Sequence, residues 1–260
     1  MPFTESTPDE WRKRLSRVVL SGSPNSRKTT SLATWPGRTA VISYPGEKGY
    51  AAMPGKAADG TELKSWLWTV PEAGEVAWGT VVTEVKTLTA EILNGKYGEF
   101  QTFAGDGLHK LYAAFLADAT GGASAKGQGF EAKLYSNAHA RFFDYVDMVF
   151  RSKIPHVVFT VWDGAEKDDP DDKSVNASKH VFPDLPGQAA KKIMGEASIV
   201  LHATKNAKGD FCWYTQPTGK VWGAGMKLPA GIAGKIPAEV PQDYTKLFNL
   251  IVAAAGQSAP

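Results

Sequence analysis

The 260-residue chain has a single cysteine, five histidines and a formal net charge of only +2. With Cys212 alone there is no disulfide partner and no cysteine set for a zinc module. That excludes a secreted disulfide scaffold and points to a reducing cytosol. The histidines (His109, His139, His156, His180 and His202) include no pair at ligand spacing, so a histidine metal centre is not expected. No run approaches the roughly 18–20 apolar residues of a membrane span. Met1 to Trp11 is polar and acidic, without the apolar stretch of a signal peptide. The expectation is a soluble, cytoplasmic protein with no membrane partner. A G-x-S-x-G nucleophile elbow is also missing.

What is present is a hydrophobic content of 43%, enough for one large core or two small ones. Short β-branched runs bounded by turn residues predict strands over 17–21, 39–44, 65–70, 101–104, 156–162, 198–203 and 211–215. Helical periodicity lies between them, over 28–34, 78–93, 107–117, 131–151 and 189–196, with a last helix over 242–255. The alternation predicts an α/β fold, a mainly parallel sheet flanked by helices. After residue 197 the strands come closer together, which predicts a C-terminal β-hairpin on the sheet edge. The organisation expected is a single domain over 1–260, with an N-terminal extension over 1–16 and the hairpin and final helix over 197–260.

The run Val18-Val19-Leu20-Ser21-Gly22-Ser23-Pro24-Asn25-Ser26-Arg27-Lys28-Thr29-Thr30 is an apolar strand, a small-residue turn and a Lys-Thr helix start. That is the context of a phosphate-binding P-loop, or Walker A. Backbone N–H groups from Gly22 to Thr30 cradle phosphate oxygens, Lys28 reaches the β- and γ-phosphates, and the Thr29 hydroxyl ligates Mg²⁺. Arg27 stands where the pattern G-x-x-x-x-G-K-[ST] has its second glycine. The competing reading is a plain βα turn capped by serine. A lysine there opposes the helix dipole, which itself hints at an anion.

Gln101-Thr102-Phe103-Ala104-Gly105-Asp106 is a strand ending in an acid, at a distance that suits a Walker B strand. Asp106 then serves Mg²⁺, either through its water shell or through Thr29, or else simply caps the next helix. Glu47 follows the strand at 39–44 and either orients the attacking water or decorates the surface of a Pro-Gly turn. Thr160, Trp162 and Asp163 end the strand at 156–162, where a polar side chain can sense the γ-phosphate.

At these residues the sequence resembles the RecA-like P-loop ATPases of phages, the family of phage nucleotide-binding proteins that includes the Sak-type recombination ATPases. The resemblance runs through most of the chain: Gly22 to Thr30 as Walker A, 41–49 as the strand into an acidic turn, 101–106 as Walker B and 155–162 as the sensor strand. It implies ATP and Mg²⁺ as cofactors, with Lys28, Thr29 and Asp106 holding nucleotide and metal and Glu47 as the catalytic glutamate. It further implies an ATPase of phage recombination or replication, acting with single-stranded DNA as a homo-oligomer or beside a phage annealing or replication protein. Arg27 departs from the pattern and bears on hydrolysis more than on binding. The alternative is therefore a degenerate nucleotide-binding or interaction module without turnover.

For DNA, residues 1–38 carry seven basic against three acidic residues, with Arg12, Lys13, Arg14 and Arg17 clustered. This is either a phosphate contact or a solvated helix face. The stretch 163–172 carries six acids and one lysine and repels phosphate, which leaves 120–129 with Lys126 as the path for a strand. Of the eight tryptophans, Trp66, Trp68 and Trp78 are expected to pack in the core. Trp35 and Trp162 fall near the loop, where either packing or base stacking is open.

Overall fold

The computed structural model describes residues 16–47, 53–69, 76–164, 167–168, 179–186, 188–217, 224–228 and 231–256. Arg12, Lys13 and Arg14, and most of the acidic stretch 163–172, lie outside them.

Strand β1 (Arg17–Gly22) leads into a short helix α1 (Lys28–Ser31), followed by β2 (Thr39–Ser43) and β3 (Leu63–Leu67). Helix α2 (Trp78–Leu93), β4 (Thr102–Asp106), α3 (Leu108–Ala119), α4 (Ala132–Phe150) and β5 (His156–Thr160) come next. A two-stranded ribbon of β6 (Lys167–Asp168) and β7 (Lys179–His180) precedes α5 (Ala189–Glu196). The chain then forms β8 (Ile199–Lys205), β9 (Phe211–Tyr214), β10 (Gly225–Met226), β11 (Glu239–Pro241) and α6 (Tyr244–Gly256).

The main sheet has nine strands in the order β11-β9-β8-β1-β5-β4-β2-β3, with β10 also on β8. From β8 to β3 every pairing is parallel. All the carboxyl ends of that block therefore lie along one edge, where α/β sheets gather their ligand-binding loops. Successive side chains of a strand face opposite ways, and β1 shows the consequence. Val19 joins a core with Phe103, Phe159, Phe115 and Phe142, beneath α2 to α5. Val18 and Leu20 join the opposite core with Leu201, Tyr244, Leu247 and Ile251, beneath α6. Burial on both faces is why these strands read as continuous apolar runs.

Two differences from the sequence expectations have local causes. The helix expected over 28–34 is α for Lys28–Ser31 only and finishes as a 3-10 turn, Leu32–Thr34. Pro36 holds Trp35 extended, with ψ 146°, and stops it. Strand β8 is more than the first arm of a hairpin, because it pairs in parallel with β1 before turning antiparallel to β9. It completes a βαβ unit with α5, and the hairpin extends the sheet from there. The segment expected to guide DNA, 120–129, follows a helix, as the periodicity over 107–117 predicts. It lies at the far end of α3, which starts beside the carboxyl end of β4 and runs 12 residues, about 18 Å, away from that edge.

Arg17 is not part of a solvated basic cluster. Its guanidinium donates to the carbonyls of Phe150 (2.5 Å), Ser152 (2.9 Å) and Ile154 (3.0 Å), tying β1 to the end of α4. Trp35 is 1% exposed and stacks on Tyr244 with centroids 3.6 Å apart. It is core, and no base reaches it.

Candidate functional site

The turn after β1 is shaped by close backbone approach. A Cβ on Gly22 would stand 2.6 Å from both the Ala203 carbonyl oxygen and Ser26 Oγ. Asn25 and Arg27 both take the left-handed conformation, at φ 64° and 62°. Alternation of this kind turns successive N–H groups toward one concavity, the geometry of an anion nest. Arg27 thus adopts the backbone that a glycine would, and its side chain leaves the loop to lie over the Phe211 ring, 4.0 Å from the centroid. No side chain caps α1, so the serine-capped turn is not what forms here.

Lys28 is 7% exposed and turns back onto the loop. Its ammonium donates to the Gly22 carbonyl (2.5 Å), the Ser23 carbonyl (2.9 Å) and Ser26 Oγ (3.3 Å). Burial lowers its pKa to about 8, against the opposing pull of Asp163, Asp106 and Glu47. Next to it, Thr29 Oγ1 donates to Asp106 Oδ2 at 2.9 Å, and Thr160 Oγ1 donates to Asp106 Oδ1 at 2.5 Å. The Thr160 oxygen in turn accepts from the Gly107 N–H at 2.9 Å. Thr160 is therefore engaged in orienting Asp106. Helix α3 has no side-chain cap, so Asp106 is not its N-cap residue.

Glu47 reaches the same place through a type II turn. Pro45 and Gly46 occupy its centre, Gly46 at φ 84°, and the Glu47 N–H donates to the Tyr44 carbonyl at 2.9 Å. Tyr44 is anchored below by hydroxyl contact with Tyr145 at 2.8 Å, and its N–H bonds the Asp106 carbonyl at 3.0 Å. A Cβ on Gly105 would collide with the Tyr44 hydroxyl and stand 2.6 Å from the Phe159 ring. The Glu47 side chain rests against Gly107, where a Cβ would come within 2.8 Å of Oε2. Two glycines thus admit Tyr44 and Glu47 beside the end of β4.

The carboxyl ends of three parallel strands, β1, β2 and β4, bring Lys28, Thr29, Glu47 and Asp106 together, while Ser23, Pro24, Asn25 and Thr30 stay exposed around the loop. Asp163 belongs to this group as well. Its N–H bonds the Gly22 carbonyl at 3.1 Å, and its carboxyl is coupled to Lys28. His202 was not legible as a neighbour, although the β1–β8 register sets it opposite Ser21. Its Nδ1 lies 3.3 Å from Ser21 Oγ and 3.5 Å from Asp163 Oδ1. Burial lowers its pKa to about 4, so the ring is neutral at pH 7 and makes no ion pair. Serine and aspartate also meet the same ring nitrogen, which no Ser-His-Asp relay allows.

Desolvation raises both Asp106 and Asp163 to about 6. These carboxylates are charged at neutral pH with less compensation than they had in water. Asp106 binds its proton more tightly in the folded state than unfolded. Its contribution favours folding at low pH and is lost as pH rises through about 6. Asp106→Asn is therefore expected to raise unfolding stability at pH 7 by on the order of 2 kcal/mol. The gain should vanish near pH 4, which paired urea titrations at the two pH values measure. A variant less stable at pH 7 would mean that the bonds from Thr29 and Thr160 outweigh desolvation.

A family model described as an AAA domain matches residues 14–225, a span that contains every residue of this constellation. No curated protein matches the chain.

Proposed function

The chain belongs to the AAA domain family, and from that premise we propose that it is an ATP-hydrolysing P-loop enzyme whose site is the cluster around Lys28 and Asp106. The observation that carries this reading is the hydrogen-bonded series Thr29–Asp106–Thr160 beside a buried lysine. It sets an acid and a hydroxyl where a metal bridging two phosphates needs ligands. The donor set suits Mg²⁺, a hard cation that takes oxygen ligands and keeps several waters. When bound, Mg²⁺ supplies positive charge to the phosphate oxygens.

In this reading the N–H groups of Gly22 to Thr30 hold the phosphates. Lys28 exchanges one of its loop carbonyls for a γ-phosphate oxygen, in a site dry enough to strengthen that contact. Thr29 and Asp106 hold the metal, and Thr160 fixes the carboxylate. Glu47 sits beside the end of β4 and orients a water for attack on the γ-phosphate. The alternative, binding without turnover, rested on Arg27. Since Arg27 carries the glycine-like backbone and an outward side chain, the departure costs local strain rather than the loop's shape.

The finer reading follows the resemblance to phage recombination ATPases: one NTPase domain in the bacterial host cytoplasm, acting on single-stranded DNA as an oligomer or with a phage annealing or replication protein. With Arg17 committed to α4, any basic contribution from the N-terminal cluster must come from Arg12, Lys13 and Arg14. Hydrolysis of ATP by the full chain, with and without single-stranded DNA, tests both levels. Mg²⁺-dependent turnover is expected, rising with DNA and losing that rise as salt increases. Turnover indifferent to DNA would remove the recombination role and leave the ATPase. Nucleotide binding with no turnover in either condition would restore the binding module.

A further inference from the structure

A groove of about 550 Å³ opens beside the phosphate loop and takes no part in the roles assigned so far. Arg27, Thr30 and Thr34 form one wall, three or four positions apart and so on one face of α1 and its 3-10 continuation. Asp210, Phe211 and Gln242 form the other. This is the flank on the β8–β9 side of the loop, opposite the strands that carry Asp106 and Glu47. A polyphosphate lying on Gly22 to Thr29 with its last phosphate near Lys28 leaves its other end beside Thr30, where the groove begins.

The walls have the chemistry of a nucleoside seat. Phe211 is a partly exposed ring flanked by two cations, the Arg27 guanidinium at 4.0 Å and the Lys205 ammonium at 4.8 Å from its centroid. A planar guanidinium laid over a ring at a groove mouth is a surface on which a base stacks. Gln242 ties the two walls together, its Nε2 donating to the Ser26 carbonyl (2.9 Å) and the Cys212 carbonyl (3.0 Å). Both partners accept only, so the amide orientation is fixed and Oε1 faces the other way. That oxygen is buried away from the groove and has no hydrogen-bond donor among the described residues, so Gln242 braces the two walls rather than contacting an occupant. Asp210 is exposed at the rim, where its carboxylate can accept from ribose hydroxyls.

We infer that this groove seats the nucleoside end of the bound nucleotide. The base stacks on the Arg27–Phe211 pair, and Asp210 receives the ribose. The inference rests on the P-loop reading and adds a purpose for Arg27: the left-handed backbone that spares the loop also delivers the side chain to the base.

The test separates the two layers by using ligands with and without a base. Binding of Mg·ATP and of inorganic tripolyphosphate is measured by calorimetry on the full chain and on Phe211→Ala. ATP is expected to bind the native chain more tightly than tripolyphosphate, and Phe211→Ala to weaken ATP by about five- to a hundredfold while tripolyphosphate stays within about twofold. Unchanged ATP affinity, or an equal loss for both ligands, overturns the nucleoside seat and leaves the phosphate loop standing. Failure of tripolyphosphate to bind the native chain overturns the loop assignment beneath it. Phe211→Leu keeps the apolar bulk without the π face and is read by the same criteria if Phe211→Ala does not fold.

Discussion

Lys28→Ala is expected to lower kcat/KM for ATP hydrolysis by about a thousandfold, since deleting one preorganised donor in a dry site already costs about a hundred- to a thousandfold. Lys28 is a cation held almost wholly inside the loop, and its three present partners are all acceptors of the loop itself. With its pKa near 8 it is mostly charged at pH 7, yet burial has already removed much of its hydration. A phosphate oxygen restores what water no longer provides, and charge-assisted bonds of this type are about twice as strong as neutral ones. The same pKa predicts that the native enzyme loses ATP affinity above about pH 8, because the free ammonium deprotonates there. Steady-state rates on the variant, with melting curves to confirm folding, measure the first part, and calorimetry of the native enzyme on either side of about pH 8 measures the second. Hydrolysis within about tenfold of the native rate would remove Lys28 from the phosphate site, as no other cation in the loop takes its place.

How far the sequence carries this argument differs from residue to residue. Strands such as β1 and β5 are buried on both faces, so their composition alone marks them, and the loop between β1 and α1 carries its chemistry within eight consecutive positions. Glu47 was singled out because it follows the strand over 39–44; that Pro45 and Gly46 turn it back against Gly107 instead of leaving it on the surface is what the structure adds. Asp106 was left open between capping and metal duty; the structure removes the first, since its carboxylate is held by the hydroxyls of Thr29 and Thr160 and caps no helix.

What failed was long-range. Arg17 reads as part of a basic run until the end of α4, more than 130 positions away, presents it with carbonyls. Trp35 is close to the loop in sequence, but its stacking partner is Tyr244. The aromatic beside the loop is Phe211, brought there because β8 pairs with β1 and β9 folds back on β8. Nothing local to Phe211 or Gln242 signals a ligand. Their meaning comes from a strand order that composition cannot supply.

Glu47→Gln should leave ATP bound and suppress its hydrolysis by about a hundred- to ten-thousandfold, the range for removing a general base. The substitution keeps the shape that rests against Gly107 and removes only the charge, so a loss of turnover without a loss of affinity isolates the chemical step. A second readout follows from electrostatics. Burial is the main cause that raises Asp106 to about 6, and the Glu47 charge adds to it. Without that charge Asp106 ionises more easily, and the acid limb of Mg²⁺ binding moves to lower pH. The direction is fixed, since a neutral neighbour no longer opposes a second negative charge. The shift of the acid limb needs only the charge, so it is the affinity that tells the roles apart: loss of a merely structural glutamate would weaken ATP and Mg²⁺ together instead of sparing them. Turnover near the native rate in Glu47→Gln would require another group to orient the water. The remaining carboxylate of the cluster without a role at the metal is then Asp163, which interacts with Lys28 and is also raised to about 6, and Asp163→Asn becomes the variant that must lose activity.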